Sequence, residues 1–245
     1  MLDPVVAVIL AGGLGTRIRS LLPQQVPKPL APIAGRPFLG WLLQLLHRQG
    51  FNQSLIATGY LAEVIENYIQ TQAIAELPHC HLQCLAEPEP LGTAGGFVHA
   101  VRHSGLKAKA WLVLNGDSIT VTDYGVLLDY LTDAQTDGVI LGVMVADAAR
   151  YGSLRYDEQG YLLEFAEKRP GAGVINSGVY LLRDELLGEL PAPAHLSFEY
   201  DVFPHWLACH KRFRVHLVEA PFLDIGTPAT LAQAQDFIAA HLQTW

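Results

Sequence analysis

The chain is poor in the residues that mark several large classes of protein. Its 245 residues include only 3 cysteines, which is too few for a disulfide framework. No apolar run reaches the roughly 18 residues that a transmembrane helix needs. Lys and Arg number 16 against 24 Asp and Glu, so the formal net charge is −8, whereas nucleic-acid binding normally requires a basic face. These deficits argue against a membrane partner and against a nucleic-acid partner.

What the chain does contain is typical of a compact globular protein. Hydrophobic residues make up 50% of it and charged residues 16%. The segment from His79 to Cys84 has side chains that can bind zinc, but its alternation and the lack of a second ligand cluster favour an ordinary strand. The first residues lack the basic region of a signal peptide, so we expect the protein in the cytoplasm.

Strand and helix patterns alternate along the first half of the chain, which implies a mostly parallel sheet with helices on both faces. Beyond residue 150 the pattern changes to a hairpin followed by isolated strands and helices. We therefore predict a single domain spanning 1–245, of the α/β class. Its fold is a Rossmann-like open sheet, mostly parallel but mixed, with a small antiparallel insertion. The predicted strands are 5–9, 54–60, 81–87, 110–114, 138–146, 153–156, 161–166, 174–182 and 213–219, and the predicted helices are 37–50, 62–70, 93–103, 124–131, 199–209 and 228–242.

A glycine-rich loop follows the first predicted strand. Gly12, Gly13 and Gly15 leave its backbone N–H groups open to an anion, and Arg17 and Lys28 add two positive charges. No glycine precedes Lys-Ser or Lys-Thr as in a P-loop, and the third glycine of the dinucleotide-binding fingerprint is missing. The loop therefore predicts a polyphosphate site of another kind.

The pattern G-G-x-G-T-R, followed after nine residues by P-K-P, resembles the signature of the sugar-1-phosphate nucleotidyltransferases. The resemblance implies a GT-A-like nucleotidyltransferase fold whose antiparallel insertion covers the sugar. It implies that Arg17, Lys28 and Asp117 are catalytic. It also implies that the first loop binds the nucleotide through Leu10, Ala11, Gly12, Gly13, Gly15 and Thr16.

Two aspartates stand where strands are predicted to end. Asp117 follows the buried run AWLVL, and Asp224 lies between apolar neighbours in FLDIGTP. Asn-Gly-Asp is also an ordinary turn sequence. Both motifs nevertheless resemble the metal-binding positions of the family, and carboxylates suit Mg²⁺. The resemblance therefore implies Mg²⁺ as the cofactor, bound by Asp117 and Asp224.

Further segments resemble the family's sugar site. In the family, the lysine of a Glu-Lys pair holds the sugar phosphate and the glutamate contacts sugar hydroxyls, which implies these roles for Lys168 and Glu167. A solvated charged pair at a strand end is the alternative. Gly152 would let the backbone approach the sugar, and Asn176 offers both a donor and an acceptor to a hydroxyl.

The segment 87–95 resembles the family's base-recognition loop and places Glu87, Gly92 and Thr93 at the nucleotide. Uridylyl and thymidylyl relatives tend to carry Gln where Glu87 falls. A carboxylate only accepts hydrogen bonds, which suits the adjacent N1–H and N2 amine donors of guanine. A charge-assisted pair is worth roughly 1.5–3 kcal/mol, enough to favour GTP. A surface glutamate in a proline-bracketed loop is the alternative.

The resemblance implies transfer of a nucleoside monophosphate, GMP favoured, from NTP to a sugar 1-phosphate, with heptose or mannose 1-phosphate favoured as acceptor. A uridylyl- or thymidylyltransferase acting on a hexose 1-phosphate is one alternative. A non-catalytic homologue that binds nucleotide-sugar is another, but such proteins often lose a signature cation or carboxylate, and all are present here. GMP transfer to molybdopterin ranks below both. Many relatives are dimers or tetramers, so a homo-oligomer is possible.

Overall fold

The computed structural model describes residues 5–166, 170–190 and 195–243. Most strands of this region join one sheet, and helices lie against it. The strands are β1 (Val5–Ala11), β2 (Pro32–Ile33), β3 (Arg36–Pro37), β4 (Gln53–Thr58), β5 (His81–Ala86), β6 (Ala110–Asn115), β7 (Ser118–Thr120), β8 (Gly138–Val145), β9 (Ser153–Tyr156), β10 (Leu162–Ala166), β11 (Gly173–Arg183), β12 (Phe213–Val218) and β13 (Phe222–Asp224). The α-helices are α1 (Phe38–Arg48), α2 (Ala62–Tyr68), α3 (Ile74–Glu76), α4 (Gly92–Ser104), α5 (Phe203–Ala208) and α6 (Pro228–His241).

The first half of the sheet is parallel, in the order β6-β1-β4-β5. The carboxyl ends of parallel strands meet at one edge of a sheet, where ligands of open α/β folds bind. The loops after Ala11, Thr58, Ala86 and Asn115 therefore lie side by side. This arrangement places the glycine loop, Glu87 and Asp117 at the same edge.

The second half of the sheet is mixed, which confirms the predicted fold class. The long strand β11 runs antiparallel to β6 on one side and to β8 on the other, and β12 is parallel to β8. The hairpin β9–β10 joins β11 through the pair Ile175 and Ser153. This hairpin is the predicted antiparallel insertion, and it brings residues 150–166 beside the carboxyl end of β6.

The core lies on both faces of the sheet. Along β1, Val6 and Val8 pack with α4 on one face, whereas Ala7 and Ile9 pack with α1 on the other, and all four are fully buried. A β-branched run of this kind is typical of a strand that is covered on both sides. Within the described part of the chain, no helix has the length and hydrophobicity required to span a bilayer.

Several local features differ from the sequence predictions. The short strands β7 and β13 pair with each other outside the main sheet. The sequence does not predict them, because neither is long enough to show a periodic pattern. The segment predicted as an ordinary helix at 124–131 is a 3₁₀ helix, Tyr124–Thr132. The helix predicted at 199–209 begins with a wider π-helical turn, Phe198–Val202, before α5. By contrast, Thr227 caps α6 as expected, since its side chain accepts a hydrogen bond from the Thr230 N–H.

Candidate active site

The three glycines of the first loop serve different purposes. A Cβ at Gly12 would lie 2.7 Å from Oε1 of Glu87, so this glycine makes room for the glutamate. Gly15 has a φ of +59°, and a Cβ there would lie 2.9 Å from Cβ of Lys28. A Cβ at Gly13 would meet nothing within 4 Å in the described structure, so its backbone is open to a ligand.

Lys28 forms an ion pair with Asp117 across the end of the sheet. Its Nζ donates to Oδ2 of Asp117 at 2.5 Å, and the lysine side chain is only 9% exposed, whereas the aspartate side chain is 40% exposed. A lysine this deeply buried requires a charged or polar partner. The pair therefore holds the lysine at the edge where an anion would enter.

The pairing of β7 with β13 brings the second aspartate to the same place. Asp224 lies opposite Ser118, and the N–H of Ile225 donates to the backbone oxygen of Asp117 at 2.9 Å. Two carboxylates 107 residues apart by number (224 − 117) thus face one edge of the sheet. The structure brings together the two residues that the sequence predicts as metal ligands.

Gly226 leaves a small space among the charged groups of this edge. A Cβ there would lie 2.5 Å from Oδ1 of Asp224, 3.1 Å from Nη2 of Arg17 and 3.3 Å from Nζ of Lys28. Two cations and a carboxylate therefore surround a position that has no side chain. Through Lys28 this space also adjoins Asp117.

Three donors among the described residues hold Asp224. Its Oδ1 accepts from the N–H of Gly226 at 2.8 Å, and its Oδ2 accepts from the hydroxyl of Tyr151 at 2.7 Å and from Nη2 of Arg150 at 3.5 Å. Burial, together with the negative charge of Asp224, raises the pKa of Tyr151 to about 12. The tyrosine hydroxyl therefore remains a protonated donor at neutral pH.

A first cavity, here called the glycine-loop cavity, has a volume of about 290 Å³ and opens at the carboxyl ends of β1, β5 and β6. Most of the predicted nucleotide-binding residues line it, together with two of the predicted catalytic residues. These are Leu10, Ala11, Gly12, Gly13, Lys28, Glu87, Gly92, Thr93 and Asp117.

Glu87 lies inside the glycine-loop cavity and is half-buried. Burial raises the pKa of its carboxyl, while a hydrogen bond from the Leu91 N–H at 3.1 Å and the nearby His195 lower it. Gly12, Gly59 and Gly96 all approach this side chain so closely that a Cβ on any of them would press on the carboxylate. The loops after β1 and β4 and the first turns of α4 thus leave space for a glutamate.

The N-terminus of α4 forms another wall of the same cavity. Gly92 has a φ of +73°, and a Cβ there would lie 2.5 Å from the carbonyl oxygen of Leu196. That oxygen accepts from the N–H groups of Ala94 and Gly95, at 2.9 and 3.2 Å. The hydroxyl of Thr93 accepts from the N–H of Phe198 at 3.0 Å. The first turn of α4 is therefore tied to the segment 195–198.

A second cavity, here called the Asp224 cavity, has a volume of about 950 Å³ and adjoins the first. Asn115 and Asp117 line both cavities, so the two meet at the end of β6. Predicted site residues that line the second cavity are Arg17, Asp117, Gly152, Asn176 and Asp224.

Two predicted residues within the described structure lie apart from these cavities. In the described structure Gly15 and Thr16 line neither of them, although the backbone of Gly15 lies close against the side chain of Lys28. Glu167 and Lys168, the predicted sugar-phosphate pair, lie outside the described residues, although the strand that precedes them reaches the Asp224 cavity through Phe165 and Ala166.

Asn176 belongs to a hydrogen-bonded chain in the wall of the Asp224 cavity. Its Nδ2 donates to the hydroxyl of Tyr180 at 2.7 Å, and that hydroxyl donates to Oε1 of Glu199 at 2.9 Å. Oε2 of Glu199 accepts from the hydroxyl of Ser197 at 2.8 Å, and Oδ1 of Asn176 accepts from the N–H of Gly178 at 3.0 Å. This chain fixes the orientation of the Asn176 amide and, among the described residues, leaves one of its N–H groups for a ligand.

Several lining residues were not among the predicted site residues: Asn115, Arg150, Tyr151, His195, Glu199 and Tyr200. Some lie within segments whose family likeness is visible, such as Tyr151 beside Gly152. Arg150 and His195 adjoin segments of irregular structure and carry no pattern that would distinguish them from surface residues.

Asp117 and Asp224 fit a divalent cation that shares its coordination with a substrate. In the described part of the chain, no group of three or more His, Cys, Asp or Glu side chains could hold a metal ion by itself. Mg²⁺ commonly binds through one or two carboxylates together with substrate phosphates and water. Two carboxylates beside the space above Gly226 match that mode of binding.

Comparison with known proteins gives a consistent family. Residues 6–241 match the family described as nucleotidyl transferase. A D-glycero-alpha-D-manno-heptose 1-phosphate guanylyltransferase of Campylobacter jejuni is 32% identical over 91% of this chain and 95% of its own. A mannose-1-phosphate guanylyltransferase of Mycobacterium tuberculosis is 32% identical over 91% of this chain and 61% of its own. The crystal structure of HddC from Yersinia pseudotuberculosis, complexed with GMP-PN, is 33% identical with a TM-score of 0.80, covering 94% of this chain and 98% of HddC.

Proposed function

The chain belongs to the nucleotidyl transferase family, and on that basis we propose that it transfers GMP from GTP to a sugar 1-phosphate, giving a GDP-sugar and pyrophosphate. The observation that carries the proposal is that two cavities meet at Asp117. One has a glycine loop suited to a triphosphate, and the other has polar groups suited to a sugar phosphate. Relatives named as guanylyltransferases of heptose and mannose 1-phosphate support this pair of substrates.

The reaction requires little covalent chemistry from the protein. A phosphate oxygen of the sugar 1-phosphate attacks the α-phosphorus of GTP in line, a new P–O bond forms, and the bond to pyrophosphate breaks. Positioning and charge neutralisation then supply most of the catalysis. Arg17 would neutralise the triphosphate and the departing pyrophosphate, Lys28 would hold the α-phosphate, and Lys168 would hold the sugar phosphate.

Asp117 and Asp224 would hold Mg²⁺ beside the space above Gly226, where Arg17 and Lys28 also lie. When bound, the ion supplies positive charge to the phosphates. Lys28 already bonds to Asp117, so it is placed to move from the carboxylate to a phosphate oxygen as the nucleotide enters.

Glu87 would read the base. Its carboxylate lines the glycine-loop cavity, and three glycines make room for it there. Two acceptor oxygens suit the N1–H and N2 amine of guanine, whereas uracil offers one donor beside an acceptor. Burial increases the difference in binding free energy between guanine and uracil. A buried carboxylate that lacks a hydrogen-bond donor costs about as much free energy as a paired one gains.

The Asp224 cavity would hold the sugar. Gly152 and Asn176 line it, and Glu167 would contact sugar hydroxyls. We favour a heptose or mannose 1-phosphate as the acceptor, because relatives of this chain are named as guanylyltransferases of these two sugar phosphates. We further propose that residues 1–245 act as one catalytic domain in the cytoplasm, with no nucleic-acid or membrane partner, and that the protein can form a homo-oligomer.

The decisive experiment measures pyrophosphate release for several NTPs against mannose, glucose and heptose 1-phosphates with Mg²⁺. We expect release with GTP and one of the mannose-type acceptors. Release with UTP or dTTP and glucose 1-phosphate would instead support a uridylyl- or thymidylyltransferase. No release with any pair would support a homologue that only binds nucleotide-sugar.

Variants test the assigned residues. Arg17→Ala and Asp117→Asn should each fold normally and lose about 10²- to 10³-fold in rate, as expected for a preorganised charge. Asparagine is chosen at position 117 because it leaves the buried Lys28 a polar partner. Arg19→Ala is the matched control, because Arg19 lies in the same segment but stacks on Tyr60, 4.5 Å from the ring centroid. Turnover equal to that of the unmodified protein in either test variant would contradict the assignment.

The role of Glu87 has its own test. Glu87→Gln should lower kcat/KM for GTP relative to UTP by about 10- to 150-fold, the ratio that corresponds to roughly 1.5–3 kcal/mol. Glu89→Gln is the control, since Glu89 is exposed in the same loop and lies outside the described lining of the glycine-loop cavity. An unchanged GTP/UTP ratio in Glu87→Gln would remove the base-reading role.

A further inference from the structure

Asp224 is held more firmly than Asp117. Its side chain is 17% exposed against 40% for Asp117. Each of its carboxylate oxygens has its own short hydrogen bond: Gly226 N–H to Oδ1 at 2.8 Å and the Tyr151 hydroxyl to Oδ2 at 2.7 Å. One donor on each oxygen fixes the plane of the carboxylate as well as its position.

The Tyr151 hydroxyl is placed by contacts that do not involve Asp224. The tyrosine ring packs edge-to-face on Phe222, with centroids 5.5 Å apart and an angle of 78°. It also packs against the buried cluster that contains Val143, Ala148 and Ile175, and its N–H donates to the oxygen of Ala148 at 3.0 Å. The ring is therefore a fixed support for whatever its hydroxyl contacts.

A carboxylate has about four lone-pair positions. With Arg150 Nη2 at 3.5 Å from Oδ2 as the third donor, Oδ1 still has a position for a further bond. Groups that hydrogen-bond to a metal-binding carboxylate orient it, and their loss typically weakens metal binding about 10- to 100-fold. We propose that Tyr151 is a positioning residue, whose hydroxyl holds Asp224 in the orientation in which that carboxylate binds a divalent ion. The proposal rests on the proposed function, in which Asp224 is a metal ligand.

The test is the affinity of the full chain for Mn²⁺, measured by electron paramagnetic resonance with a non-hydrolysable GTP analogue present. Tyr151→Phe keeps the ring and removes only the hydroxyl, and it should weaken Mn²⁺ binding about 10- to 100-fold. Tyr200→Phe is the matched control. Tyr200 lines the same cavity, is 82% exposed, and its hydroxyl has no hydrogen bond within the described structure. The Mn²⁺ affinity of the Tyr200→Phe variant should equal that of the unmodified protein.

Asp224→Asn, alone and combined with Tyr151→Phe, separates the possible failures. We expect Asp224→Asn to weaken Mn²⁺ binding and Tyr151→Phe to add nothing to it. Unchanged affinity in Tyr151→Phe, with a loss in Asp224→Asn, would overturn the role of Tyr151 and leave the proposed function intact. An equal loss from Tyr151→Phe in both backgrounds would show a merely structural role. Unchanged affinity in Asp224→Asn would remove the metal assignment and this inference together.

Discussion

The space above Gly226 makes one substitution especially informative. Gly226 has no left-handed φ, so alanine fits its backbone and any effect must come from the added methyl group. That methyl carbon would lie 2.5 Å from Oδ1 of Asp224, 3.1 Å from Nη2 of Arg17 and 3.3 Å from Nζ of Lys28. Favourable separations of non-bonded carbon and its neighbours are about 3.5–4.0 Å, so the carboxylate has to move by about 1 Å.

A shift of that size falls on the groups that would hold the metal and the phosphates. Displacing a reacting arrangement by about 1 Å can cost about 10²-fold in rate. We therefore expect Gly226→Ala to lower kcat/KM for pyrophosphate release by about 10²-fold, or about 2.7 kcal/mol. The melting temperature should change little, because the cluster lies at the edge of the sheet and not in its core.

Gly188→Ala provides the control for this experiment. A Cβ at Gly188 meets nothing within 4 Å in the described structure, and its φ is also outside the left-handed region. The two variants thus add the same methyl group, one among charged side chains and one in open space. Full activity in Gly226→Ala would refute the view that this space is where the phosphates and the metal meet. A large drop in melting temperature would attribute the loss to folding.

Three more predictions concern the site, its walls and the helix α4. The kcat/KM for GTP should fall on the acid side, since Glu87 must be ionised to accept from guanine and burial raises its pKa; a pH profile of Glu87→Gln should lack this acid limb. Tyr180→Phe should raise the KM for the sugar 1-phosphate about 2- to 10-fold, the value of one hydrogen bond, because it frees the amide of Asn176, while the KM for GTP stays constant in steady-state assays. Gly105→Ala should cost about 1–2 kcal/mol of unfolding free energy in denaturant titrations, for its φ of +71° alone. Gly92→Ala should cost more at nearly the same φ, because its Cβ also meets a backbone oxygen; equal losses would contradict this reading.

The sequence predicts the parallel half of the sheet well for a physical reason. Strands such as β1 and β6 are buried on both faces, so nearly every residue is apolar and the pattern is unmistakable. The glycine loop is predicted for a different reason, which is that few functions require three glycines, an arginine and a lysine at that spacing. These segments position the glycine-loop cavity.

The Asp224 cavity is harder to predict. Strands β7 and β13 have only 3 residues each, too few for periodicity, and they pair through residues more than a hundred positions apart. The sequence identifies Asp117 and Asp224 separately but gives no sign that Ser118 and Asp224 are partners. Similarly, nothing local links Glu199 to Asn176, because their connection passes through the buried hydroxyl of Tyr180.

The two cavities meet at the end of β6, and the same point divides the amino-acid sequence into two stretches. In the described structure, the glycine-loop cavity is lined by residues 10–117 and His195, and the Asp224 cavity by residues 115–227 and Arg17. Apart from Asn115 and Asp117, which line both cavities, each half of the chain therefore lines one cavity and contributes one further residue to the other, Arg17 or His195. If each cavity binds the substrate proposed for it, a lineage could replace one substrate by changing one contiguous stretch of codons while the other stretch stays as it was. Under the proposed assignment of the two cavities, base preference and sugar preference would be separable traits, and a recombination point just after Asp117 is where they would part.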